Sequence, residues 1–249
     1  MKVRMYNVGF GDCFCLRDRK KSLLVDFGTN NSRIEGRPRR EIFDVIISDL
    51  STIKSKNLLL THFHMDHLSG LLYMMKKKDI SVDFGKIYLP DVFSKKEMSR
   101  TLVLLLLADL LKESGLPSRQ VSLFALVDAL LENKQNVELL SRGKLFENKY
   151  QALWPDTDVI RKETDEVYNR ICEDGKFKEV MDVLLEFAEK LRLIVWSMTA
   201  EGNKPAETVE KETDLTASEL TEQPEVRQKI IRAYVYELSL IHISEPTRR

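Results

Sequence analysis

The chain has 249 residues, enough for one domain, or one domain with insertions, around a sizeable core. Lys plus Arg equals Asp plus Glu at 39 each, and a formal charge of zero excludes any global attraction to nucleic acid or anionic membranes, so a local basic patch has to carry such binding. Three cysteines, an odd count without paired spacing, favour a reducing cytoplasm, and the N-terminal MKVRMYNV lacks the apolar stretch of a signal peptide.

Residues 2–8 alternate polar and apolar, and Gly9-Phe10-Gly11-Asp12 reads as a turn. Residues 13–17 and 22–26 continue as two strands joined by the charged turn Asp18-Arg19-Lys20-Lys21, which predicts an antiparallel meander. Cys13 and Cys15 share a strand face, read as buried packing ahead of metal binding. Asp12 is read as a turn residue, with a place near the mouth of a metal site as the alternative. The polar stretch 29–40, TNNSRIEGRPRR, carries Arg33, Arg37, Arg39 and Arg40. Guanidinium groups hold phosphate through paired donors, so this loop is a candidate for docking a phosphodiester; a solvated basic loop is the plain reading. Ile42, Val45, Ile46 and Ile53 at near-helical spacing predict a helix over 41–54 that covers the sheet.

The stretch Asn57–Gly70, NLLLTHFHMDHLSG, is the densest in chemistry. Leu58, Leu59 and Leu60 read as a short buried strand, and a helical pattern opens at Asp66. Three of the chain's four histidines, His62, His64 and His67, fall at this junction together with Asp66. Residues i and i+2 of an extended segment point the same way, so His62 and His64 can present imidazoles to one metal ion. As the chain turns into the helix, Asp66 and His67 can reach a second ion. Zinc accepts such mixed nitrogen and carboxylate ligands, and it lowers the pKa of a bound water to roughly 7. Asp66 is also placed to orient that water.

Thr61-His62-Phe63-His64-Met65-Asp66-His67 with Gly70 resembles the T-H-x-H-x-D-H…G signature of the metallo-β-lactamase superfamily. Val8-Gly9-Phe10-Gly11-Asp12 resembles the V-G-Q-G-D turn of the branch that includes the hydrolase domain of ComEC-type DNA-uptake proteins, with Phe10 in place of Gln. Leu24-Val25-Asp26-Phe27-Gly28 resembles that branch's L-x-D-x-G strand end. The resemblance implies an α/β fold, the αββα sandwich of the superfamily, and a zinc hydrolase with two ions, manganese being the alternative metal. It implies that Asp26 supports the metal-binding loop from behind the ligands. It also implies a bridging Asp and a further His later in the chain, and neither pattern occurs between Tyr150 and Glu237.

After that motif, Leu68, Leu71, Leu72 and Met75 predict the inner face of a helix ending in Lys76-Lys77-Lys78, a run that suits the helix dipole. Residues 86–90 read as the next strand. Ser94 and Glu97 have capping-box spacing and predict a helix to about Ser114, closed by Gly115 and Pro117. Its apolar run 102–111 is half the length that spans a membrane, so no transmembrane segment is expected and a buried or dimer-forming helix is. A second helix at 118–133 makes a hairpin insert over about 94–133, inside a catalytic-type domain spanning 1–155. Val137 to Leu140 leads to Gly143, and Tyr150 to Pro155 resembles the strand before an insertion in the ComEC-like branch. Residues 156–199 form a helical insertion broken at Asp174-Gly175, with Phe177, Met181, Leu184, Leu185, Ala188 and Leu191 on one face. Residues 200–237 read as a flexible acidic segment and a short helix. Leu238 to Arg248, LSLIHISEPTR, is identical to a translated transposase-type sequencing adapter. Glu237 is therefore read as the last genuine residue, 238–249 as a non-native tail, the gene as truncated with its second half incomplete, and His242 as no ligand. Three functions stay open: a phosphodiesterase of nuclease type with nucleic acid as a candidate substrate, a thioester or lactone hydrolase of the same fold, and a non-catalytic assembly protein using the helical insert. Oligomeric state is not legible.

Overall fold

In chain order, alternating apolar residues build β1 (Lys2–Met5), β2 (Phe14–Asp18) and β3 (Lys21–Val25). A small hairpin follows, β4 (Arg33–Ile34) and β5 (Arg37–Pro38), then α1 (Arg39–Ser51), β6 (Ser55–Leu59) and α2 (Met65–Met75). Next come β7 (Ile87–Pro90), a 3₁₀ turn (Lys96–Met98), α3 (Ser99–Lys112) and α4 (Leu123–Glu132). The rest is β8 (Val137–Leu140), the short pair β9 (Leu145–Phe146) and β10 (Tyr150–Gln151), α5 (Thr157–Glu173) and α6 (Gly175–Ser197). This computed structural model describes residues 1–18, 21–77, 83–112, 123–173 and 175–200. Lys78, the 118–122 part of the predicted second helix, Asp174, the acidic segment from residue 201 and the adapter-like tail lie outside the described residues.

Six strands form one mixed sheet in the order β1-β2-β3-β6-β7-β8. The first three are the predicted antiparallel meander, and β6, β7 and β8 join in parallel because helical connections return the chain to the same end. Cys15, Leu24, Leu58, Leu89 and Leu139 point to one face and are buried under the helices. On the other face the register lines up Met5, Phe14, Val25, Leu59 and Tyr88 across five strands. The β9–β10 hairpin covers the Tyr88 end of that row through Phe146 and Tyr150, while Met5 at the other end is 72% exposed. A mixed sheet sandwiched by helices on one side and a second β layer on the other is the expected architecture.

Several local expectations are corrected. The stretch 29–40 is a hairpin whose end runs into a helix, so Arg39 and Arg40 lie in the first turn of α1. The Ser94–Glu97 capping box does not form: Ser94 donates its hydroxyl to Asp91 instead (2.7 Å), and the helix proper opens at Ser99. Lys77 does not cap α2; its ammonium crosses to Asp44 of α1 (2.5 Å) and over the Tyr73 ring. Only Tyr150 and Gln151 of the expected 150–155 strand are extended in pairing.

The helical insert follows its apolar period. Leu102, Val103, Leu106 and Leu107 of α3 are buried, as are Phe177, Met181, Leu184, Ala188 and Leu191 of α6, with Leu185 partly buried. Asp109, the polar interruption in the apolar run, accepts the Phe124 N–H at the start of α4 (3.1 Å), where a carboxylate complements the helix dipole. Among the described residues no helix is long and apolar enough to cross a membrane.

Candidate metal centre

The site forms where β3 and β6 end and α2 begins. Adjacent parallel strands release their chains at the same edge, and both then need backbone partners beyond the sheet. The chain leaving β6 finds them on β7 and Asp26, and the chain leaving β3, with the turn before β2, finds them on α2. The Phe27 N–H donates to the His67 carbonyl (2.7 Å), the Asp12 N–H to the Asp66 carbonyl (3.2 Å), and the Thr29 N–H to the Ser69 hydroxyl (2.9 Å). Ser69 returns its own proton to the Thr29 carbonyl (2.9 Å). Two glycines permit this approach. A Cβ on Gly28 would lie 2.6 Å from the Leu68 nitrogen, and one on Gly70 would meet the Phe27 ring at the same distance. The first neighbour is α2 backbone and the second a fully buried ring, so neither can yield cheaply.

Asp26 sits at the centre of the junction. It is 2% exposed and adopts a left-handed backbone (φ +55°), which Asp tolerates better than most residues. Its Oδ1 accepts the Thr61 N–H (2.8 Å); its Oδ2 accepts the Thr61 hydroxyl (2.7 Å) and faces His67 Nδ1 (2.9 Å). These contacts fix two imidazole tautomers. Since an ionised carboxylate only accepts, the neutral His67 ring carries its proton on Nδ1 and leaves the Nε2 lone pair free. Thr61 has one hydroxyl proton, already given to Asp26, so its 3.0 Å contact with His62 Nδ1 requires the imidazole to donate. His62 Nε2 is then also a bare lone pair.

The rings converge. His62 and His64 centroids are 4.7 Å apart, and those of His62 and His67 are 3.8 Å apart. Asp66 Oδ2 stands 3.8 Å from His67 Nε2. Two donors on one tetrahedral zinc at about 2.1 Å stand roughly 3.4 Å apart, so this pair suits a shared divalent ion with little adjustment. Burial and the neighbouring His67 and His64 push the His62 pKa down, which keeps it unprotonated and able to ligate. Burial alone would push His67 down as well. The Asp26 hydrogen bond and the charges of Asp26, Asp66 and Asp12 together outweigh it and hold that ring above its ordinary value.

The sequence-predicted residues His62, His64, Asp66, His67 and Asp26 are thus brought together. Asp12, read first as a turn residue, joins them: its Oδ2 is 3.6 Å from His67 Nδ1, and Asp12, Asp26 and His67 form a potential ligand cluster. Its position closing a glycine turn was the available signal. Thr61 belongs to the motif, but its hydroxyl relay between Asp26 and His62 is visible only in the geometry. The arginines lie apart, on the β4–β5 hairpin and the start of α1. Arg33 spends both Nε and Nη2 on the Gly36 carbonyl (3.0 and 2.6 Å), which closes the hairpin, while Arg37, Arg39 and Arg40 are exposed. A cavity of about 560 Å³ lies elsewhere, along β8 between Lys86, Asp91 and Trp196.

Residues 6–91, the stretch that contains every group just described, match the metallo-beta-lactamase superfamily. Fold and site therefore define a metallo-β-lactamase superfamily domain there, in a superfamily that includes hydrolases. The chain is also similar to endoribonuclease YSH1 of Mycosarcoma maydis, 32% identical over 77 residues, which is 31% of this chain and 8% of that protein. The chain thus spans a small part of that relative's length. No solved structure matches the chain.

Proposed function

We propose that the protein is a metal-dependent hydrolase of phosphodiesters, with nucleic acid as the natural substrate class and the ComEC-like branch as its place in the superfamily. His62 and His64 hold one ion, Asp66 and His67 a second; zinc fits this donor set best, and manganese is the alternative. A divalent ion here supplies Lewis acidity and acidifies water to a pKa of about 7. The chain's own residues do the rest. Asp66 accepts a hydrogen bond from the attacking water and aims it, while Asp26 and Thr61 engage the Nδ1 atoms of His67 and His62 and so leave each Nε2 available to an ion. Exposed Arg37, Arg39 and Arg40 neutralise phosphate charge, and Arg33 shapes the hairpin that carries them. Free cysteines at 13, 15 and 172 accord with a reducing, cytoplasmic setting.

The observation that carries this reading is the pair of tautomers fixed by one buried carboxylate. A histidine held only for packing has no need of two further imidazoles with centroids 4.7 and 3.8 Å from its own. The test is His64→Ala, scored by metal content and by hydrolysis of a generic phosphodiester against a thioester. Metal bound to the parent protein, phosphodiester turnover, and loss of both in the variant are expected. Turnover of the thioester alone, or wild-type metal content in His64→Ala, overturns the reading.

A further inference from the structure

The turn that delivers Asp12 to the site also carries an aromatic ring out of it. Phe10 is 71% exposed, yet both of its backbone polar groups are hydrogen-bonded. Its N–H donates to Asn31 Oδ1 (2.6 Å), and its carbonyl accepts the Asn30 N–H (2.8 Å) and the Thr29 hydroxyl (3.2 Å). Single exposed apolar side chains are ordinary on protein surfaces, so what distinguishes Phe10 is its place: a hydrogen-bonded turn that leads directly to Asp12. Two residues on, Asp12 touches His67, and Gly11 approaches the Asp66 carbonyl so closely that a Cβ would stand 2.7 Å from it.

The same turn is packed against the basic hairpin. A Cβ on Gly9 would lie 3.1 Å from Asn31 and 3.4 Å from Ile34, and Asn7 donates to Glu35 at the hairpin tip (2.7 Å). Residues 29–40 carry four arginines against one glutamate. The turn that bears Phe10 is thus packed on one side against the hairpin that carries the arginines and on the other against the start of α2, where Asp66 and His67 stand. An apolar peptide would leave the cations unused, and a bare phosphodiester would leave the ring unused. A nucleotide uses both: its base stacks on a ring while arginines follow the phosphates.

We propose that Phe10 is a stacking platform for an unpaired base next to the scissile phosphate, which makes it a specificity-determining residue favouring single-stranded over duplex substrate. The inference rests on the phosphodiester reading above, and it adds a residue that acts on the base and not on the phosphate. Stacking requires a base face that pairing and neighbours have left open, so a duplex cannot satisfy it without local opening.

The experiment is a fluorescence anisotropy titration of the full chain with three labelled strands of equal length: a base-bearing single strand, its abasic sugar-phosphate counterpart, and the duplex. The parent protein should bind the base-bearing single strand roughly tenfold more tightly than the abasic strand. Phe10→Ala should remove that preference while leaving abasic binding in place, and Phe10→Trp should preserve it. Equal binding of the first two strands by the parent protein, or a preference that survives in Phe10→Ala, overturns the proposal and reassigns the ring to a protein contact. The abasic strand reports whether the variant is folded, and the parent measurements stand without any variant. These titrations need no turnover, so a failure to hydrolyse phosphodiesters would defeat the functional reading and leave this result separately decided.

Discussion

The β-to-α junction and the helical insert rest on the same sheet but are held by different forces. At the junction a handful of directional contacts converge on Asp26, and two glycines let backbones meet without side chains between them. In the insert, α3 and α6 pack through apolar side chains such as Leu102, Leu106, Met181 and Leu184, and α5 adds Tyr168, Ile160 and Ile171 beside the Arg100–Asp165 and Thr101–Thr164 contacts to α3. Directional contacts fix atoms to a fraction of an ångström, which ligand geometry needs; apolar packing fixes elements and tolerates adjustment. The two regions should therefore fail differently. Leu106→Ala empties a fully buried position in α3 and should cost about 2–5 kcal/mol of stability. Zinc affinity, measured by competition with a chelating dye below the unfolding temperature, should stay at the parent value. If affinity falls in step with stability, the junction is not independent of the insert and the comparison fails.

Asp26→Asn tests the other side. The amide keeps the size of the carboxylate and can still accept the Thr61 N–H. Its NH2 group cannot accept from Thr61 Oγ1 and His67 Nδ1, so the His67 proton is driven toward Nε2, the atom needed for a ligand. The expected loss is about 10- to 100-fold in metal affinity. The same dye competition reads it, and nitrogen-resolved NMR of the imidazoles reports the tautomer directly. Unchanged affinity with an unchanged tautomer would show that backbone packing alone sets the site.

That contrast also explains which parts were legible in the amino-acid sequence. His62, His64, Asp66 and His67 stood out because rare residues crowd into six positions, and α6 stood out because Phe177, Met181, Leu184, Ala188 and Leu191 keep a helical period. Both are patterns internal to one segment. Asp12 and Thr61 were harder, since their roles depend on partners 55 and 35 residues away, His67 and Asp26. Lys77 was misread for the same reason: a lysine at a helix end suits the dipole, and nothing local reveals that Asp44 stands within reach. The Ser94–Glu97 spacing misled because Asp91, three residues upstream, takes the Ser94 N–H that Glu97 would have accepted, along with the hydroxyl proton. The covered and open ends of the second sheet face were not assignable either, because β9 and β10 contribute only two residues each.

The smallest effect, and the sharpest, is expected at Thr61. Thr61→Val preserves shape and the N–H bond to Asp26 but deletes the hydroxyl that links Asp26 to His62. Asp26 still holds His67, so one ligand stays oriented while the other loses its tautomer preference. Thr61 itself is exposed, and water can replace part of the lost bonding, so stability should fall by only about 1 kcal/mol. Metal affinity should drop less than in Asp26→Asn, and Thr61→Ser should restore it, because only the hydroxyl is at issue. If Thr61→Val matches the parent in affinity while Asp26→Asn does not, His62 is oriented by its ring neighbours alone. The relay through Asp26 then ends at His67, and the polar control that separates this junction from the insert shrinks to a single carboxylate–imidazole pair.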